Sequence, residues 1–253
     1  MPPVPESAPR DRDGRVALVT GGARRIGAAL ARALAARGYA IAVHHRSSAP
    51  EAAALVREIE GAGGRARAFA ADLDDVRAAE RLFAEVTAAL GAPRVLIHNA
   101  SRFERASLDE VEPELLRREL ALHVESPLAL SRAFAAALPD GAEGRIVALL
   151  DWRASLPDPE VLPYTIAKSA LLALVRNLAV ELGPRVTVNG VAPGAILPPS
   201  GSGGKGLADL SADLPARRAG TVEDVVEACL FLIERAPYTT GAVIPVDGGR
   251  HLG

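Results

Sequence analysis

The sequence predicts a single doubly wound α/β domain built on a mostly parallel, seven-stranded sheet, and three observations carry that expectation. Short β-rich runs alternate with longer Ala/Leu-rich helical patterns, the order of a parallel sheet covered by helices on both faces. A glycine-rich turn, Thr20-Gly-Gly-Ala-Arg-Arg-Ile-Gly27, joins the first run to the first helical stretch. The length, 253 residues with 49% hydrophobic content, suits one domain with a substantial core.

Val16–Thr20 is an aliphatic run stopped by Gly21 and Gly22, which reads as a buried strand. Ile26–Arg37 is an apolar-periodic helix that ends before Gly38. Ala40–His44 supplies the second strand, and Pro50–Ala62 the second helix, with proline in the tolerated first turn. A short strand at Arg67–Ala70 precedes a helix at Val76–Leu90 that closes on Gly91. Val95–His98 and Arg145–Leu150 are strands flanking one long helical pattern, Glu112–Leu138. Helices at Leu162–Leu182 and Val222–Arg235, with strands at Val186–Val191 and Ala242–Val246, complete a Rossmann-like domain over residues 14–253.

Two segments fall outside this rhythm. Residues 1–13 carry four prolines and several charges without an apolar stretch, so they read as a flexible tail rather than a signal peptide. Leu197–Gly220 contains Ser200-Gly-Ser-Gly-Gly-Lys-Gly206, whose glycines ease backbone rearrangement; it is either a moving substrate lid or a surface insertion.

A net charge of -2 provides no overall basic field for nucleic acid or an anionic membrane, and the expected partner is a small molecule. Apolar runs are broken by charge or proline before membrane-spanning length, so a cytoplasmic protein is expected. Cys229, the one cysteine, excludes an intrachain disulfide and reads as helix packing. His44 and His45 lack a convincing set of metal partners, and no metal is needed.

The strand–turn–helix context of Thr20–Gly27 places Gly21, Arg25, Ile26 and Gly27 where a backbone approaches the phosphates of a dinucleotide at a helix N-terminus. The second strand runs into His45, Arg46 and Ser47 without the acidic residue that would bond an NAD ribose. Arg46 and Ser47 instead offer charge and a hydroxyl to a 2′-phosphate, which favours NADPH. Asp72, beside Leu73 after the third strand, either faces the adenine or caps the next helix. Tyr164 and Lys168 stand at i and i+4 on one helix face, so the ammonium is expected near the phenol, where a cation favours phenolate and lowers its pKa.

Together with Asn99-Ala100 after the fourth strand, Tyr164-Thr-Ile-Ala-Lys168 and Pro193-Gly194, the turn completes a pattern that resembles the short-chain dehydrogenase/reductase family over residues 14–250. The resemblance implies a cofactor set that adds Leu73, Asn99, Ala100, Ser101, Pro193, Gly194 and Ile196 to the residues above. It also implies that Tyr164 exchanges the substrate proton while Lys168 holds the nicotinamide ribose. Where that family usually places a serine, thirteen residues before the tyrosine, this chain has Asp151. An ionised carboxylate there repels an alkoxide, whereas a protonated one donates to a ring nitrogen as hydride reaches carbon.

That substitution resembles the pteridine reductases and the bacterial short-chain dihydromonapterin/dihydrofolate reductases. Arg25 stands where the wider family usually has glycine, which the likeness extends to pyrophosphate and substrate. His45-Arg46-Ser47 and His98-Asn99-Ala100-Ser101-Arg102-Phe103 match the same subfamily. Phe103 is thereby expected to stack a planar heterocycle, with Ser101 bonding cofactor or pterin. His123 departs from the asparagine that many members use to anchor a water relay.

The expectation is therefore an NADPH-dependent reductase of a pterin-type C=N bond, with Asp151, Tyr164 and Lys168 catalytic and Arg25, Ser101, Phe103, Asp151 and Tyr164 contacting substrate. An NADPH-dependent carbonyl or 3-oxoacyl thioester reductase is the alternative enzyme, and a non-catalytic NADPH-binding sensor or scaffold the alternative of another class. The resemblance also implies a homo-oligomer, a tetramer before a dimer, packed through Glu112–Leu138 and Leu162–Leu182.

Overall fold

The computed structural model of the chain describes residues 15–197 and 213–252. Its strands are β1 (Val16–Val19), β2 (Ala40–His45), β3 (Arg65–Ala70), β4 (Pro93–His98), β5 (Gly144–Leu149), β6 (Val186–Pro193) and β7 (Val243–Val246). They form one sheet in the order β3-β2-β1-β4-β5-β6-β7 with every neighbouring pair parallel, so the expected mostly parallel sheet is wholly parallel. Its helices are α1 (Arg25–Ala35), α2 (Ala49–Gly61), α3 (Val76–Leu90), α4 (Pro113–Leu120), α5 (Ser126–Ala137), α6 (Leu162–Glu181) and α7 (Val222–Glu234).

Alternation along the strands divides the core between two layers. Val16 and Leu18 face the layer packed by α3, α5 and α6, whereas Ala17 and Val19 face α1, α2 and α7. Both faces of a parallel sheet are covered, which is why these strands read as continuous apolar runs. Cys229 of α7 is fully buried in the second layer, and burial pushes its thiol up to about 12, consistent with packing rather than reactivity.

The expected single helix over Glu112–Leu138 is interrupted: α4 passes into a π turn at Ala121–Glu125 before α5 begins. Pro127 has no N–H to donate to the carbonyl of His123 four residues back, and the ladder widens across that gap. The π turn carries His123 into the interior. The cap of α3 is Asp75, whose carboxylate accepts the Arg77 N–H at 2.9 Å, while Asp72 accepts the Asp74 N–H at 3.1 Å one turn earlier.

β1 lies between β2 and β4, where the order of connection reverses and the C-terminal ends of β1 and β4 border a crevice. Of the segment Leu197–Gly220, Leu197 and 213–220 are described. The glycine-rich run Ser200–Gly206 and the tail at residues 1–13 lie outside the described residues. Among the described residues, no helix is long and apolar enough to cross a membrane.

Candidate active site

The crevice is a cleft of about 600 Å³, and every site residue singled out from the sequence lines it. Gly21, Arg25, Ile26 and Gly27 come from the turn after β1, and His45, Arg46 and Ser47 from the end of β2. Asp72 and Leu73 follow β3, and Asn99, Ala100, Ser101 and Phe103 follow β4. Asp151 follows β5, Tyr164 and Lys168 stand in the first turns of α6, and Pro193, Gly194 and Ile196 come from the end of β6.

The glycine turn is fixed from beneath. The Thr20 hydroxyl donates to the Ile97 carbonyl at 3.1 Å and accepts the N–H groups of Asn99 and Ala100 at 2.9 and 3.0 Å, tying β1 to β4. The Asn99 amide donates to the carbonyls of Thr20 and Gly21 at 2.9 and 3.0 Å, so this residue clamps the turn as well as lining the cleft. A Cβ on Gly27 would fall 2.6 Å from the Asn99 amide nitrogen and nearer still to the Gly21 carbonyl oxygen, which leaves glycine as the residue that fits.

His44 serves the same turn. Its Nδ1 accepts the Gly21 N–H at 3.0 Å while Nε2 lies 3.1 Å from the Ala71 carbonyl, which fixes the tautomer with the proton on Nε2. Burial pushes its pKa down to about 4, so the acceptor at Nδ1 persists at neutral pH.

α1 opens without a side-chain cap and without an acidic residue in its first turn, and the positive end of the helix is directed at the cleft. A dinucleotide pyrophosphate fits this glycine cradle and helix end. Arg25 holds φ at 54°, in the left-handed region that glycine occupies without cost, at the first residue of α1. At the far rim, Arg46 is half exposed, with its guanidinium 4.0 Å from Asp72 and 3.8 Å from Asp74. Exposed pairs at such distances hold weakly, so the group is free to turn to a 2′-phosphate.

At the other end, Asp151 caps the short 3₁₀ turn Trp152–Ala154, its Oδ1 accepting the Arg153 N–H at 2.9 Å. Its Oδ2 accepts the Tyr164 hydroxyl at 3.1 Å. Lys168, one turn further along α6, is buried and donates to the Leu149 carbonyl at 2.8 Å; its ammonium lies 5.5 Å from the Tyr164 ring centroid.

The expected lowering of the Tyr164 pKa does not occur here. Burial, followed by the charge of Asp151 and the hydrogen bond to it, raises the phenol well above its ordinary value, with Arg153 and Ser101 opposing. The sequence pattern brought the ammonium near the ring, but the nearest charge to the hydroxyl is a carboxylate. Burial lowers Lys168 to about 8, partly offset by Asp151 and Glu119, so the ammonium is the main form at neutral pH.

Phe103 meets the Tyr164 ring edge-on with centroids 5.0 Å apart, and forms part of the wall at the reacting end. Sequence reasoning missed two of its neighbours, Trp152 and Arg153, and expected the third, Arg250, at a neighbouring subunit's site if the subfamily likeness extends to quaternary structure. Arg153 lies 5.3 Å over Phe103 and 4.4 Å over Trp152, and Arg250 lies 4.4 Å over the Trp152 ring as well. The one tryptophan, directly after Asp151, was the available signal. Arg250 faces the cleft of its own chain.

Residues 21–251 match a family model described as enoyl-(acyl carrier protein) reductase. The chain is similar to granaticin polyketide synthase putative ketoacyl reductase 2 of Streptomyces violaceoruber, with 34% identity covering 94% of this chain and 96% of the relative. It resembles the structure of FolM alternative dihydrofolate reductase 1 from Brucella canis complexed with NADP, with a TM-score of 0.87 and 34% identity over 94% of this chain and 95% of the other. A short-chain dehydrogenase/reductase from Serratia marcescens gives a TM-score of 0.87 and 32% identity over 94% and 98%.

Proposed function

The chain belongs to the short-chain dehydrogenase/reductase family, and on that premise we propose that it is an NADPH-dependent reductase acting on a pterin-type C=N bond. The observation that carries the substrate class is the Asp151 carboxylate, held 3.1 Å from the Tyr164 hydroxyl at the reacting end of the cleft. A carboxylate there disfavours a developing alkoxide but suits the nitrogen and N–H groups that an aminopterin ring presents.

When bound, the nicotinamide supplies hydride. The chain's own residues provide the rest. Gly21 and Gly27 admit the pyrophosphate to the backbone, the head of α1 complements its charge, and Arg46 with Ser47 receives the 2′-phosphate. Lys168, charged at neutral pH, bonds the ribose and offsets the negative charge of Asp151. Tyr164 stays protonated because its pKa is raised, so it enters the reaction as a proton donor, the form that reduction requires. The Tyr164–Asp151 hydrogen bond lets one proton be shared at the substrate nitrogen, and Arg153 fixes the carboxylate in place. Phe103 closes one side of the ring site, and Arg25, strained at φ 54°, reaches toward the pyrophosphate and substrate.

The likeness to the FolM structure with NADP supports this reading, and the likeness to a ketoacyl reductase supports a second one, reduction of a 3-oxoacyl thioester or simpler ketone. Exposed Leu128 on α5 and Ile166 and Val180 on α6 support assembly into a homo-oligomer through those helices. The test is NADPH oxidation with dihydrobiopterin, dihydromonapterin, dihydrofolate and acetoacetyl thioester assayed in parallel. Turnover of a dihydropterin is expected; turnover of the thioester alone would select the second reading.

A further inference from the structure

We propose that Trp152 and Arg250 form a subsite for an anionic arm of the substrate, so that the enzyme favours a reducible ring bearing a carboxylate or phosphate substituent over one with a neutral side chain. The inference rests on the reductase reading above and deepens it.

The sheet order separates this subsite from the charges that serve the cofactor. The glycine turn follows β1 and Arg46 follows β2, whereas Trp152 follows β5 and Arg250 follows β7, on the other side of β4. The pyrophosphate and the 2′-phosphate are assigned to the first side, which leaves the guanidinium groups of the second for the substrate. Phe103 and Tyr164 stand at the inner end with ring centroids 5.0 Å apart. Arg153 lies 5.3 Å over Phe103 and 4.4 Å over Trp152, and Arg250 lies 4.4 Å over Trp152. All five line the cleft, so one wall runs from the phenol to Arg250. Its length suits an arm of several bonds rather than a group on the reacting ring itself.

Two guanidinium groups meet on one indole. Arg153 donates to Asp158 at 2.6 Å and to Asp151 at 3.4 Å, which holds it in the wall. Arg250 brings a second cation to the same half-buried ring, and like charges gathered in a cleft repel one another. An anionic group received beside Arg250 offsets that repulsion, while the indole offers a flat apolar face to the arm. The chain carries a net charge of -2, so this positive charge is local to the wall and not part of a generally basic surface.

Arg250 is presented by a turn that the fold fixes on both sides. Asp247, buried just after β7, accepts the Gly249 N–H at 3.0 Å through Oδ1 and the His251 N–H at 2.9 Å through Oδ2. The His251 Nδ1 lies 2.9 Å from Oδ2 as well. Gly249 holds φ at 90°, and a Cβ there would fall 2.7 Å from Pro215, so the turn packs directly on the chain returning at 213–220. The Gly248 carbonyl accepts the Ala216 N–H at 3.0 Å across the same contact. A guanidinium carried on so constrained a backbone is placed before the ligand arrives, which lowers the cost of binding. Because it acts away from the reacting atoms, its effect falls on KM more than on kcat.

The test uses the full chain with NADPH and three substrates: dihydrobiopterin, whose side chain is neutral, dihydrofolate, whose arm ends in carboxylates, and dihydroneopterin phosphate. At least one anionic substrate is expected to exceed dihydrobiopterin in kcat/KM by about tenfold, chiefly through KM. Preference for dihydrofolate alone identifies a carboxylate arm, preference for the phosphate alone a phosphate arm, and preference for both a site that reads charge. Arg250→Gln should lower the anionic-to-neutral ratio of kcat/KM about tenfold. Added potassium chloride should lower the same ratio in wild type, a measurement that decides alone where the variant fails to fold. Trp152 is the one tryptophan of the chain, so its fluorescence reports the subsite directly. In the NADP complex, p-aminobenzoylglutamate or glycerol phosphate, arms without a reducible ring, should change that fluorescence at lower concentration in wild type than in Arg250→Gln. Equal kcat/KM on neutral and anionic substrates, unmoved by salt or by Arg250→Gln, would overturn this inference while the reductase reading stands. Where no dihydropterin turns over, the pterin reading fails and the fluorescence titration decides the subsite: a response lost in Arg250→Gln upholds it, and no response overturns it.

Discussion

The Tyr164 phenol donates to Asp151 Oδ2 at 3.1 Å, so the group that gives up a proton in reduction is already directed at a carboxylate. That carboxylate is not free to swing away: its other oxygen accepts the Arg153 N–H at 2.9 Å, and the Arg153 side chain is anchored on Asp158 at 2.6 Å. The pairing raises the phenol pKa and keeps the proton in place until a substrate arrives.

Replacing the carboxylate should separate the two substrate classes. Asp151→Ser removes the charge and the acceptor, so the Tyr164 pKa falls toward the value set by burial alone. We expect kcat/KM for a dihydropterin to drop by about a hundredfold while ketone reduction is spared or improved. Equal loss on both substrates in steady-state assays would count against the selectivity assigned to Asp151.

Lys168 sets a limit on the alkaline side. Its pKa is lowered to about 8 by burial, so the ammonium is lost as pH rises through that value. Activity should decline with a limb near pH 8 in the free enzyme, read from kcat/KM. Lys168→Arg, which does not deprotonate in this range, should keep whatever activity it has without that limb.

Cofactor preference should reside at the end of β2. Loss of a charge-assisted bond to phosphate is worth about 1.5–3 kcal/mol, so Arg46→Ala should raise the NADPH KM roughly tenfold to a hundredfold. NADH, lacking the phosphate, should be little affected, and the preference between the two cofactors narrows accordingly. An unchanged ratio would place the selection elsewhere.

Arg25 offers a test in which stability and activity move apart. Its left-handed backbone costs about 1–2 kcal/mol, against the roughly 0.4–1 kcal/mol that glycine adds by freeing the unfolded chain. Arg25→Gly should therefore melt at the same or a higher temperature while losing catalytic efficiency. A clear fall in melting temperature would show that the guanidinium is held for folding instead.

His44 links stability to acid. The unfolded chain takes up a proton at about pH 6.5, whereas burial holds the folded imidazole near 4. Below about pH 6.5 the unfolded state binds more protons, so stability falls with pH through that window, by on the order of 3 kcal/mol for this group. Melting curves between pH 7 and 4 should show the loss, and His44→Gln should reduce its slope. His98, lowered by burial to about 3, contributes in the same direction and leaves a remainder.

The sequence by itself determined the sheet, the glycine turn and the i,i+4 placement of Tyr164 and Lys168, because apolar periodicity, glycine and helical spacing are local properties carried by neighbouring residues. It also pointed to Arg46 and Asp151, which line the cleft because each follows a strand whose end opens there. Only the tertiary structure decided what those side chains meet. It broke Glu112–Leu138 at a π turn, buried His123 beside Glu119, and brought Arg153 and Arg250 over the Trp152 ring. It also reversed the expected shift at Tyr164. A pKa depends on desolvation and on charges brought together across the fold, so spacing along one helix placed Lys168 near the ring but not the carboxylate nearest its hydroxyl.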